Sequence, residues 1–144
     1  MFRSVVALFL GLSCVSVMAQ TSPVGLWQTV SDTDGKPTSE VRISETPGGL
    51  TGVVEKALVT STEPNCDKCT DERKGKPKVG MEIIRGAKKT EGKDIWEGGN
   101  ILDPSNGTVY KLKLSPVEGG KKLEVRGFVG FALLGRTQIW TRVQ

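Results

Sequence analysis

Clusters of Gly, Pro, Asn and Asp cut this chain at short intervals, and the segments between them alternate apolar and polar residues. That pattern is the period of a strand with one buried face, and it leaves no room for an amphipathic helix of any length. Eight such segments follow one another: Leu26–Val30, Glu40–Glu45, Leu50–Leu58, Met81–Arg85, Ile95–Leu102, Thr108–Leu114, Lys122–Phe128 and Arg136–Val143. In Glu40–Glu45 the alternation is strict, so Val41 and Ile43 face a core while the charges face water. Ser31–Pro37, Pro47-Gly48-Gly49, Asp103-Pro104-Ser105-Asn106-Gly107 and Glu118–Lys121 supply the turn chemistry between them. Only Val129–Leu134 offers one apolar turn of helix. The fold class is therefore all-β.

Successive antiparallel strands joined by tight turns are most simply an up-and-down meander, and closure removes its exposed edges. Eight strands enclose a space just large enough for packed side chains or one small ligand. The two ends of the chain support closure. Gly25-Leu26-Trp27 opens the first strand and Trp140-Thr141-Arg142 lies in the last, so the Arg142 guanidinium is expected to stack on the Trp27 indole where the strands meet. Gly25, Trp27 and Arg142 are accordingly read as structural closure. Glycines inside strands (Gly52, Gly98, Gly99 and Gly127) fit sharp bends in a small barrel. A β-sandwich is the alternative.

The first 19 residues have a basic start at Arg3, an apolar run from Val5 to Leu12, and small residues before Ala19. This is the pattern of a signal peptide cleaved after Ala19, and the run is too short to span a bilayer. Cys14 follows Leu12-Ser13 as an acylated cysteine would, but Gly11 stands where such signals carry a larger aliphatic residue. The expected location is periplasmic or secreted, with residues 20–144 forming one domain that is not an integral membrane protein. Lys and Arg number 20 against 16 Asp and Glu. The excess is mild and the charges are interleaved, which reads as a solvated face; no nucleic-acid motif is present.

A long irregular stretch at about 59–80 carries Cys66-Asp67-Lys68-Cys69. In an oxidising compartment this spacing fits a disulfide that staples the loop. A redox-active pair would want a helix after the first cysteine, and zinc would need two further ligands from Asp67, Asp71 or Glu72. The disulfide is the favoured reading, and no metal or cofactor is expected. The chain has no histidine. That removes Ser-His-Asp and Cys-His nucleophilic catalysis, so an enzyme is not expected.

Several segments together resemble a known family. They are Gly25-Leu26-Trp27, Asp34-Gly35-Lys36-Pro37, Cys66-Asp67-Lys68-Cys69, Lys76-Pro77 with Gly80-Met81, Trp96-Glu97-Gly98-Gly99, Leu102-Asp103-Pro104 with Asn106-Gly107 and Tyr110, Val125-Arg126-Gly127, and Gly135–Gln138 through Trp140-Thr141-Arg142. In this order they resemble the bacterial family DUF2147, and the two ends resemble the closing signature of lipocalins and calycins. The resemblance implies an exported, calycin-like or lipocalin-like barrel with no established activity.

Within such a barrel Trp96, Tyr110 and Arg126 are the candidate ligand-binding residues, two aromatic walls and a cationic hook for a carboxylate or phosphate. Alternation sets Tyr110 inward with Leu112 and Leu114, and Arg126 outward or at a rim. Asp103, Pro104, Asn106 and Gly107 read as a hairpin turn. The expected function is an exported binding module for a small hydrophobic or amphipathic ligand, such as a fatty acid or lipid fragment. The alternative is a filled structural barrel that binds an envelope protein or glycan through its surface or stapled loop.

Overall fold

A computed structural model describes residues 21–130 and 134–144. The segment read as a signal peptide lies outside the described residues, as does the centre of the apolar stretch at Val129–Leu134. Eight strands follow in order: β1 (Gly25–Val30), β2 (Pro37–Thr46), β3 (Gly49–Ala57), β4 (Glu82–Lys89), β5 (Trp96–Asp103), β6 (Thr108–Val117), β7 (Lys122–Phe128) and β8 (Gly135–Arg142). Each pairs antiparallel with the next, and β8 returns to β1, so the sheet is a closed up-and-down barrel rather than a sandwich. A single 3-10 turn, Glu118–Gly120, joins β6 to β7. No helix among the described residues is long and apolar enough to cross a membrane.

Antiparallel order gives the barrel two distinct ends. Gly25, Thr46, Gly49, Lys89, Trp96, Val117, Lys122 and Arg142 mark the base; Val30, Pro37, Ala57, Glu82, Asp103, Thr108, Phe128 and Gly135 mark the mouth. Register puts the inward residues in columns: Trp27 opposite Val41, Leu114 opposite Val125, Leu112 opposite Gly127, and Leu123 opposite Trp140. Strands longer than the alternating core of their sequence are carried by the ladder itself. β4 runs on through Gly86 to Lys89, and β6 through Pro116 to Val117, where Pro116 still stands opposite Leu123.

The base is sealed by the two chain ends. Trp27 is fully buried, and its Nε1 donates to the Pro23 carbonyl at 2.7 Å. The Arg142 guanidinium lies over that ring, 4.2 Å from its centroid. Its nitrogens donate to the carbonyls of Gly120 at 2.6 Å, Val24 at 2.8 Å and Ser22 at 2.7 Å. A cation taken partly out of water is thus repaid by three acceptors and a π face. Gly25 has φ +146°, and a Cβ there would collide with the Arg142 side chain and the Gln144 carbonyl. The closing pair therefore requires the glycine before it.

Candidate functional site

The lower half of the barrel is solid. Trp27, Val41, Ile43, Ala87, Leu112, Leu114 and Leu123 are all completely or almost completely buried, and Trp140 is 3% exposed. A side chain with no surface open to water has no water-sized cavity beside it. No water-sized space therefore lies beside these residues, whereas Arg136 at the mouth is 42% exposed.

There the character of the interior changes. Thr29 faces in, and its hydroxyl lies 2.8 Å from Thr38 Oγ1 and 2.7 Å from Ser39 Oγ. Counting back from Trp140 by twos along β8 gives Gln138 and then Arg136, both on the inward side. A hydrogen-bond chain climbs this column. Trp140 Nε1 donates to Gln138 Oε1 at 2.8 Å, and Gln138 Nε2 donates to Asp32 Oδ1 at 2.5 Å. Arg136 bonds the other Asp32 oxygen with Nη1 and Asp103 with Nη2. Its guanidinium lies 5.2 Å from the centroid of the Tyr110 ring, and Asn106 Nδ2 donates to the Tyr110 hydroxyl at 3.3 Å.

This array spans a gap in the sheet. Between β1 and β8 the register holds only Trp27 with Arg142 and Gln28 with Thr141, both near the base. Above them, side chains replace the backbone ladder: Arg136 and Gln138 of β8 hold Asp32, just beyond β1. Electrostatics keep Asp103 and Arg136 ionised. Burial alone would raise the pKa of Asp103, but hydrogen bonds from Ser105 and Arg136 bring it below the usual carboxylate range. Burial likewise opposes the charge on Arg136, and the two aspartates more than offset it.

The hairpin residues fill their turn roles and add another. The Asp103 carbonyl accepts from the Gly107 amide at 2.8 Å, and Asp103 Oδ1 accepts from the Ser105 amide at 2.9 Å. Asn106 Oδ1 accepts from the Thr108 amide at 2.8 Å. The second oxygen of the same Asp103 reaches across the mouth to Arg136. Gly107 has φ +74°, and a Cβ there would strike the Lys68 carbonyl of the stapled loop.

That loop is anchored on the barrel wall. Cys66 and Cys69 are disulfide-bonded and buried, and Cys66 Sγ lies 3.5 Å from the Pro104 carbonyl. Leu102 pairs with Val109 on the outward side of the sheet, yet it is only 2% exposed. The loop that meets Pro104 and Gly107 is what covers it. Buried Arg73 braces the loop through an ion pair to Asp71 at 2.5 Å and a bond to the Glu82 carbonyl at 2.9 Å. The bond from Arg73 lowers the pKa of Asp71 to about 2.

The three candidate ligand residues do not converge. Tyr110 is in the mouth, facing in, and Gly127 leaves room for it: a Cβ at Gly127 would sit 3.2 Å from Tyr110 Cβ. Arg126 is on the outer face, where it donates to Thr137 Oγ1 at 3.0 Å. Trp96 is at the base in a surface hollow of about 380 Å³ shared with Glu45, Lys89 and Asp94, with Lys89 Nζ 5.7 Å from its ring centroid. The cation that faces into the mouth is Arg136, which was not among the expected ligand residues. Alternation from Trp140 would have found it.

A model of the bacterial family described as "Uncharacterized protein conserved in bacteria (DUF2147)" matches residues 25–142, the span from the closing glycine to the closing arginine. The chain belongs to this family. No curated protein matches it. Among solved structures it is similar to protein HP1028 from Helicobacter pylori, described as belonging to the lipocalin family. The two are 19% identical, with a TM-score of 0.75 over 87% of this chain and 85% of that one. The likeness is one of fold: a lipocalin-like barrel.

Proposed function

We propose that this DUF2147 chain is an exported binding protein that takes a small amphipathic ligand in the mouth of its barrel. The observation that carries this reading is Arg136. It is an inward-facing guanidinium, 42% exposed, set between Asp32 and Asp103 and stacked on Tyr110 above an apolar interior. Lipocalin-like barrels present such a half-open, mixed interior to small molecules. The polar head of the ligand exchanges hydrogen bonds with Asp32, Arg136 and Gln138, and its apolar part rests on Tyr110, Ile101 and Val125. The packed base excludes a long chain lying along the barrel axis, so a short acyl chain or a lipid fragment is the favoured cargo. The reading is of binding and not of catalysis. Both mouth carboxylates are engaged by Arg136, and Asp103 is held too acidic to act as a proton donor at neutral pH.

The test is native mass spectrometry of the protein as recovered from cells without detergent, followed by organic extraction. A stoichiometric extra mass that extracts as a small amphipathic molecule, and is lost in Arg136→Gln and Tyr110→Ala, supports the reading. A clean protein mass, together with no change in Trp fluorescence on titration with short-chain fatty acids, overturns it. Weight then moves to the surface of the barrel and its stapled loop as a binding face for an envelope protein or glycan.

A further inference from the structure

We propose that the mouth takes its ligand head first, so that the apolar tail leaves the barrel over the β7–β8 rim and its length is not limited by the interior. This inference deepens the mouth reading above and rests on it. The register lays one row of inward apolar side chains around the mouth. Ile84 on β4 pairs with Ile101 on β5, and Ile101 pairs with Tyr110 on β6. The β6–β7 ladder ends with Lys111 opposite Phe128, both on the outer face, so one step further Tyr110 comes level with Val129. The β7–β8 ladder ends with Phe128 opposite Gly135. The Val129 amide donates to the Leu134 carbonyl at 3.1 Å, which carries that pairing one residue on. Val129 and Leu134 therefore face inward, on the side of Tyr110 and Arg136.

Exposure rises along this row. Ile84 is fully buried, Ile101 and Tyr110 are half-buried, and Val129 and Leu134 are 59% and 67% exposed. Tilted strands make a row climb as it passes round a barrel, so the closed end lies inside and the open end at the rim. On β8, Arg136 stands two residues nearer the base than Leu134, and Gln138 two nearer again. The polar array thus lies about 7 and about 13 Å beneath the rim, measured along the strand. Below Gln138 comes Trp140, 3% exposed, on the packed base. A tail cannot run down past Trp140, nor along the row to Ile84, where no surface is open. The open apolar surface that continues from the array is Tyr110, Val129 and Leu134. The fold leaves these last two aliphatic side chains unpacked, and an alkyl chain laid across them removes that surface from water. The ligand class is therefore an amphiphile whose head and first methylenes are recognised and whose tail end is not.

The test is calorimetric titration of the full chain, as the cell processes it, with straight-chain carboxylates from hexanoate to dodecanoate. Affinity should rise about fourfold per methylene while the tail covers Tyr110, Val129 and Leu134, then level off without a drop. The double variant Val129→Ser with Leu134→Ser should bind hexanoate as before and lose most of the gain with length. Both side chains are exposed, and matching near-ultraviolet circular dichroism shows that the variant keeps the fold. Orientation is read from bromine quenching of Trp140, the indole bonded to Gln138 beneath the array. Dodecanoate brominated beside its carboxylate should quench it, and dodecanoate brominated at the far end of its tail should not. If no member of the series binds, the mouth reading itself is overturned and this inference with it. Three other results overturn the inference alone: binding that falls abruptly beyond one chain length, a double variant that keeps the full length dependence, or a tail-end bromine that quenches better.

Discussion

Arg126 on β7 and Arg136 on β8 sit on neighbouring strands, yet alternation turns one guanidinium out and the other in. Arg126 lies opposite Thr137 and shares its outward side; Arg136 lies opposite Gly127 and shares its inward side. The same logic makes Gly25 the most constrained small residue of the base. Gly25→Ala forces an L side chain into φ +146° and into the Arg142 guanidinium. It should cost about 1–3 kcal/mol, read as a lowered urea midpoint. Trp27→Ala removes the ring itself and should cost about 3–5 kcal/mol. Asp71 supplies a pH signature. Its folded pKa, about 2, lies below the ordinary carboxylate value of about 4. Its contribution is therefore complete above about pH 4 and is lost as the pH falls toward 2. Asp71→Asn should flatten the urea midpoint over that acid range and leave its slope near neutrality unchanged. At this scale much was legible in the sequence. Gly25, Trp27 and Arg142 declare themselves as a closing set, and Tyr110 shares its face with Leu112 and Leu114. Arg136 was missed because its importance depends on Asp32 and Asp103, partners that no local spacing brings near it.

Among the elements, the long β3–β4 connection behaves least like a connection. Its backbone folds on itself: the Cys66 amide donates to the Lys76 carbonyl at 2.8 Å, and the Gly75 amide donates to the Cys66 carbonyl at 2.8 Å. An isolated bridge pairs Asn65 with Pro77. Arg85 of β4 then ties in Glu72 at 2.6 Å. With so many bonds holding the loop, the disulfide is one fastener among several, and the ring it closes is very short. Replacing Cys66 and Cys69 together by Ala should cost only about 2 kcal/mol, because little chain entropy is removed by so small a ring. Denaturant unfolding of the double variant measures this. A loss well above that value would mean that the loop unfolds from Leu102 as a unit. The sequence signalled the staple through the cysteine spacing. It did not signal where the loop lies, because the outward side of Leu102 reads as solvent-facing until a distant segment covers it. Strand positions were legible throughout, since turn residues and alternation are local. Strand ends were less so: Pro37 and Pro116 look like breakers, but both stand at ladder positions that the neighbouring strand holds in place.

As a whole molecule, the barrel is closed by two different kinds of bond along one seam. Seven strand pairs share extended ladders, whereas β1 and β8 share only Trp27 with Arg142 and Gln28 with Thr141. Around that base the Leu26 amide also donates to the Gln144 carbonyl at 3.1 Å, and the Val143 amide to the Leu26 carbonyl at 2.8 Å. The mouth half of the seam depends on Asp32, which receives Arg136 and Gln138. Opening should therefore begin there, because local unfolding starts where few backbone bonds and little apolar burial resist it. Asp32→Ala should speed amide hydrogen exchange at Thr29, Val30 and Gln138, while Leu112, Leu114 and Leu123 stay as protected as before. The Trp140 indole, joined to Asp32 through Gln138, should report the same change in its fluorescence. Uniform acceleration across all strands would instead mean that Asp32 supports global stability rather than the seam. The weakest line of the sheet and the proposed binding array are thus the same set of side chains. A ligand that bonds Asp32 and Arg136 together should slow exchange at those seam amides in proportion to its occupancy.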